Sequence, residues 1–176
     1  GGSSDLIEID TAQYHGGASS LKVVGTDTVV CRYTFTAQST GKITFSYWYR
    51  PGDITSVNIG EVSFSKGAFN YGGNNWATLI RSGNAYMRVY FSGSWQGQIV
   101  TALTIAWQQI EIELDLDANT LNMWVGGTQE FSNTAFQNSG AGVKPLDTIN
   151  FTNNTESADS WYDDLHIYTG ARVAGQ

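Results

Sequence analysis

The sequence predicts an all-β fold, a two-sheet antiparallel β-sandwich of jelly-roll type, and three observations carry that expectation. Apolar residues recur at every second position, with almost no helical period. Clusters of Gly, Asn, Asp and Ser interrupt the alternating runs at short intervals, the punctuation of strands and turns. Charged residues make up 14% of the chain while aromatics reach 13% and glycines number 20, against roughly a quarter charged in an ordinary globular domain. At 176 residues the chain has the length of one domain and can bury a sizeable core.

Strands are expected at 6–10, 20–24 and 29–36. On the third, Cys31 shares a face with Tyr33 and Phe35 and reads as a small buried hydrophobe. Over 42–50, Ile43, Phe45, Tyr47 and Tyr49 fall on one face and Thr44, Ser46, Trp48 and Arg50 on the other. A strand at 56–65 follows, and then two Gly/Asn-rich loops at 67–75 and 92–97, carrying Phe69, Tyr71, Trp76 and Trp95 near their tips or ends. Between them, 85–91 alternates Met87, Val89 and Phe91 with Tyr86, Arg88 and Tyr90. A strand is expected at 99–105. Ile110, Ile112, Leu114 and Leu116 alternate with Glu111, Glu113, Asp115 and Asp117, the pattern of a half-buried strand. After the Asp117-Ala118-Asn119 turn, 121–125 buries Leu121, Met123 and Val125 and leaves Asn122 and Trp124 outside. Strands at 148–152 and 165–168 close the series. Residues 1–4 read as a linker or expression scar, 5–170 as the domain and 171–176 as a linker tail within a larger parent.

A formal charge of −7 leaves no basic field for nucleic acid or an anionic membrane. A single cysteine excludes an internal disulfide and a cysteine zinc site. The informative feature is the outward aromatic set, because sugar rings pack their C–H faces on indole and phenol planes while their hydroxyls seek fixed polar partners. Trp48, Tyr86, Tyr90 and Trp124 supply planes, and Arg50, Arg88, Asn122 and Gln96 supply polar groups. The alternative is that these rings only cover a sheet edge or pack beneath a loop. Four carboxylates on the 111–117 strand face raise a second possibility, glycoside hydrolysis by a pair of acids, with an ordinary amphipathic strand as the plainer account. Glu8, Asp10, the carbonyls of the His15-Gly16-Gly17 turn, Asp163 and Asp164 are hard oxygen donors of the kind calcium takes, or else solvated loop groups. His15 and His166 read as turn and polar-face residues.

Tyr14-His15-Gly16-Gly17-Ala18-Ser19-Ser20-Leu21-Lys22-Val23 resembles the early signature of jelly-roll carbohydrate-binding modules attached to xylanases and cellulases. The runs Phe45-Ser46-Tyr47-Trp48-Tyr49-Arg50-Pro51 and Tyr162-Asp163-Asp164-Leu165-His166-Ile167-Tyr168 are similar to the middle and last strands of the same modules. The 107–127 hairpin is closer to laminin-G-like and concanavalin-A-like lectin domains. The resemblance implies a structural calcium held by Glu8 or Asp10, the Lys22 carbonyl and Asp164. It also implies a ligand site on an open sheet face, where Trp48, Tyr86, Arg88, Tyr90 and Trp124 fit, or at the loop ends, where Trp76 and Trp95 fit.

The reading that follows is a noncatalytic, monomeric, extracellular module that binds a neutral β-glucan or hemicellulose and holds a tethered catalytic domain of a secreted, bacterial carbohydrate-active enzyme near its polymer. Arg50 and Arg88 leave uronic acids open. Its rivals are a hydrolase or lyase of the same fold using the 111–117 strand, and an adhesion or spacer domain of a large surface protein.

Overall fold

The computed structural model describes residues 7–24, 29–55, 59–69, 73–83, 85–91, 94–96, 102–138, 142–153 and 158–174, with backbone alone at 29, 30, 91 and 94–96. Within these residues the chain forms strands and no helix. In chain order they are β1 (Ile7–Asp10), β2 (Ser20–Val23), β3 (Val29–Gln38), β4 (Lys42–Pro51), β5 (Gly60–Ser65), β6 (Trp76–Gly83) and β7 (Tyr86–Phe91). β8 (Ser94–Gln96), β9 (Gln108–Asp115), β10 (Thr120–Val125), β11 (Thr128–Ala135), β12 (Leu146–Asn153) and β13 (Ser160–Thr169) complete the set.

All pairings are antiparallel. A seven-stranded sheet runs β1-β2-β13-β4-β9-β10-β11, and a six-stranded sheet runs β3-β12-β5-β6-β7-β8. The last strand thus lies inside the first sheet, between β2 and β4. The fold is the expected two-sheet jelly-roll sandwich, and the core forms where the period-2 faces meet. Ile43, Phe45, Tyr47 and Tyr49 of β4 and Ile110, Ile112 and Leu114 of β9 face Val62 and Phe64 of β5 and Ile149 and Phe151 of β12. A side chain at Gly60 would place its Cβ 2.8 Å from the hydroxyls of Tyr49 and Tyr162, so the close approach of the sheets there requires glycine.

Several expectations need correction. β6 occupies 76–83, where no strand was expected: it is buried on nearly every residue, so no alternation marks it. Trp76 belongs to this strand and is 5% exposed rather than standing at a loop tip. β11 was also unmarked, an almost wholly polar edge strand with two register shifts against β10. β8 forms inside the expected 92–97 loop. Residues 102–105 are not strand, and 99–101 lie outside the described residues. Cys31 is half-buried against the core, not fully inside. Arg172, in the expected tail, is bound into the fold.

Candidate functional site

The pleat sends the expected binding residues to two opposite outer faces. Trp48, Arg50, Asn122 and Trp124 lie on the seven-stranded sheet, where β13 and β9 flank β4 and β10 follows β9. Each is already engaged. His15 stacks flat on Trp48, with centroids 3.5 Å apart and planes at 11°, and Trp107 meets the same imidazole edge-on at 6.2 Å. Arg50 lies 5.1 Å over Trp161 and donates from Nε to the Ile105 carbonyl at 2.8 Å. The Asn122 amide donates to Glu113 at 3.0 Å and accepts from the Asn133 N–H at 2.8 Å.

Trp124 is roofed by Arg172, whose guanidinium sits 4.5 Å above the ring. The same guanidinium donates to Glu111 Oε2 at 2.6 Å, and the Arg172 amide donates to Glu113 Oε2 at 2.8 Å. The C-terminal segment therefore crosses this face, and Glu111 and Glu113 are only 2% and 5% exposed although they point outward. Burial pushes the Glu113 carboxyl up, but Lys42, the Arg172 amide and Asn122 outweigh it and hold it below the usual carboxylate range. A general acid of a glycosidase needs the opposite bias. Asp115 caps the following turn by accepting from the Asp117 and Ala118 amides. The carboxylates of β9 are structural partners in this arrangement.

Tyr86, Arg88, Tyr90 and Trp76 lie on the outer face of the six-stranded sheet, and the backbone register of β8 sets Trp95 opposite Tyr90. The Trp95 side chain and those of Phe91 and Gln96 lie outside the described residues, as does Tyr71. Three cross-strand rows span this face. One runs Thr152, Glu61, Arg81, Arg88; the next Arg32, Asn150, Ser63, Leu79, Tyr90; the third Thr34, Thr148, Ser65, Trp76. Glu61, Ser63, Ser65, Thr148, Asn150 and Thr152 are buried although they point away from the core. They form the polar floor of this face, with the Trp76 and Tyr90 rings packed at 5.6 Å to one side.

Asn150, 0% exposed, donates from Nδ2 to the Ser65 hydroxyl at 2.9 Å and the Ser63 hydroxyl at 3.2 Å. Its Oδ1 and the Trp76 Nε1 have no hydrogen-bond partner among the described residues. Buried polar atoms are seldom left so. Glu61 pairs with Arg81, yet burial raises its carboxyl to about 7 against the opposing pull of that guanidinium. Asn150, Ser63 and Glu61 were not expected as site residues. The available signal was two strands whose outward positions, Glu61 apart, are Ser, Thr and Asn in place of Lys and Glu.

The expected calcium ligands each have partners within the fold. Glu8 pairs with Lys22 Nζ at 3.1 Å, Asp10 accepts from the Ala12 amide at 2.7 Å and from Trp161 Nε1 at 2.7 Å, and Asp164 meets His15 Nδ1 at 3.1 Å. The 15–17 turn does reach the β13 bulge, but through Asp163, which accepts from the His15 and Gly16 amides. No group of three His, Cys, Asp or Glu among the described residues is placed to hold a metal ion. A groove of about 830 Å³ also opens at the sandwich edge between β3, β4 and β13, lined by Tyr33, Phe35, Ile43 and Ile167, away from both sets of candidate residues.

No protein-family model matches the chain, and no curated protein matches it. Solved structures do. A sialidase superposes with a TM-score of 0.70 at 9% identity over 95% of this chain, which spans only 16% of the sialidase's length. The cellulose-induced protein Cip1 gives 0.64 at 18% identity, covering 94% of this chain and 88% of its own. The catalytic domain of a glycoside hydrolase family 131 protein from Coprinopsis cinerea gives 0.59 at 14% identity, covering 98% and 81%. Identities this low speak to architecture alone, and with the strand order above that architecture is a two-sheet antiparallel jelly-roll β-sandwich.

Proposed function

We propose that the chain is a polysaccharide-binding module whose ligand lies across the outer face of the six-stranded sheet. One observation carries the reading: a patch of small, uncharged, buried polar side chains on an outer face, centred on Asn150, whose carbonyl oxygen has no partner among the described residues. Such a floor is costly in a face meant only for water and useful in one meant for sugar hydroxyls. The carbohydrate-active and carbohydrate-recognition domains among the structural likenesses support it. Its role would be to hold a tethered catalytic domain of a secreted enzyme at its polymer.

The test is an array of plant, algal and fungal polysaccharides, neutral β-glucans and hemicelluloses included, with released sugar assayed in the same wells. Binding without product supports the module. Product would favour a second reading, an enzyme using Glu61, whose raised carboxyl suits proton transfer at pH 7; Glu61→Gln should then abolish turnover. Silence on every glycan, from folded protein, would sink both and favour the adhesion or spacer role. Calcium is a separate proposal resting on the family resemblance alone, and a thermal melt that chelator leaves unchanged would remove it.

A further inference from the structure

Resting on that reading, we infer that the six-stranded face takes an acidic glycan, with ligand carboxylates meeting Arg88 at one end of the polar floor and Arg32 at the other. The expectation of a neutral polymer came from the whole-chain charge of −7, yet the local balance has the opposite sign. The outward positions in the three rows include Arg32, Arg81 and Arg88 against one acid, Glu61. Elsewhere three cations are matched, Lys22 to Glu8 and Asp159, Lys42 to Glu113 and Asp115, and Arg172 to Glu111, while Arg50 and Lys144 donate to neutral oxygens.

Arg81 and Arg88 are directly opposite each other on neighbouring strands. Like charges so placed destabilise a sheet unless something neutralises them. Glu61 neutralises one. No carboxylate among the described residues pairs with Arg88 or Arg32 in an ion pair, and neither belongs to the core. Strands lie about 4.8 Å apart, so four spacings separate Arg32 on β3 from Arg88 on β7 by roughly 19 Å, the length of a few sugar rings. A planar guanidinium receives a carboxylate through two parallel hydrogen bonds, which favours a uronate over a sulfate ester.

The experiment measures binding of the intact chain to polygalacturonate and polymannuronate, to a sulfated glucan, and to unmodified β-glucan and xylan, each at low and high salt. The expected result is salt-sensitive binding of the polyuronates above all others, weakened roughly ten- to a hundredfold in Arg88→Gln. Arg32→Gln should weaken long chains more than short ones, and melts should show both variants folded. Binding of neutral glycans alone would overturn this inference and leave the module reading standing. Unchanged polyuronate affinity in both variants, or preference for the sulfated glucan, would also overturn it, and no binding of any glycan would overturn both.

Discussion

Removing Arg172 should destabilise the sandwich by about 3 kcal/mol, although sequence alone would place it in a dispensable tail. The guanidinium makes a charge-assisted hydrogen bond to Glu111 at 2.6 Å and covers Trp124 at 4.5 Å. Such a bond contributes about 1.5–3 kcal/mol and such a cation–π contact about 0.5–2 kcal/mol. The Glu111 side chain is 3% exposed, so Arg172→Ala strands a carboxylate without its cation, a change that costs about 3–5 kcal/mol when water stays out. The segment can lift and admit water, which brings the figure to the low end. For a chain of this length that is roughly a 6–12 °C loss of melting temperature. Urea unfolding, followed by tryptophan fluorescence and far-ultraviolet circular dichroism, measures it. Adding Glu111→Gln should restore at least half the loss, because a neutral amide tolerates the missing partner. A loss below about 0.5 kcal/mol, with no coupling between the two sites, would refute the bound-tail account.

Trp48→Ala should lower stability by about 2 kcal/mol, through the lost His15 stack and half-buried indole, and leave glycan affinity within twofold; a binding defect with an unchanged melt would return the site to the seven-stranded sheet. Asn150→Leu, close in volume, should cut glycan binding more than tenfold while changing unfolding free energy by less than about 1 kcal/mol, since lost hydrogen bonds and a lost orphan oxygen offset; calorimetry on the intact chain measures the first and urea midpoints the second. The folded-state carboxyl of Glu61 is raised from 4.5 to about 7, so the native state holds that proton more tightly. Its contribution to stability is full below pH 4.5 and disappears as pH rises to 7, by up to about 3 kcal/mol. Glu61→Gln should flatten that slope, and a wild-type slope of opposite sign across this window would contradict the burial of the carboxyl.

How much of this was legible in the sequence depends on the range of the interactions involved. β4, β9 and β10 were readable because their alternation is local and one face of each is core. β6 was not, since its bulge against β5 and its burial on both sides erase the period, and β11 was not, since an edge strand whose one large apolar residue is Phe131 has no apolar stripe to show. The outward aromatics were readable as outward. What covers them was not: His15 reaches Trp48 and Arg172 reaches Trp124 across dozens of residues, and nothing in a two-residue period reports such contacts. The polar floor went unseen because Ser63 and Asn150 look like ordinary solvent-facing positions until β12 is laid beside β5.

The position of β13 also sets a timetable for folding. β2 has only β1 and β13 as neighbours, so the first hairpin stays separated from the rest of its sheet until the last strand is in place. During synthesis the N-terminal strands must wait, unpaired along one edge, for nearly the whole chain to be made. Closure then joins residues about 140 positions apart, such as Val23 and Ser160. A topology of this kind folds slowly and late, and its early intermediates expose an open strand edge to other chains.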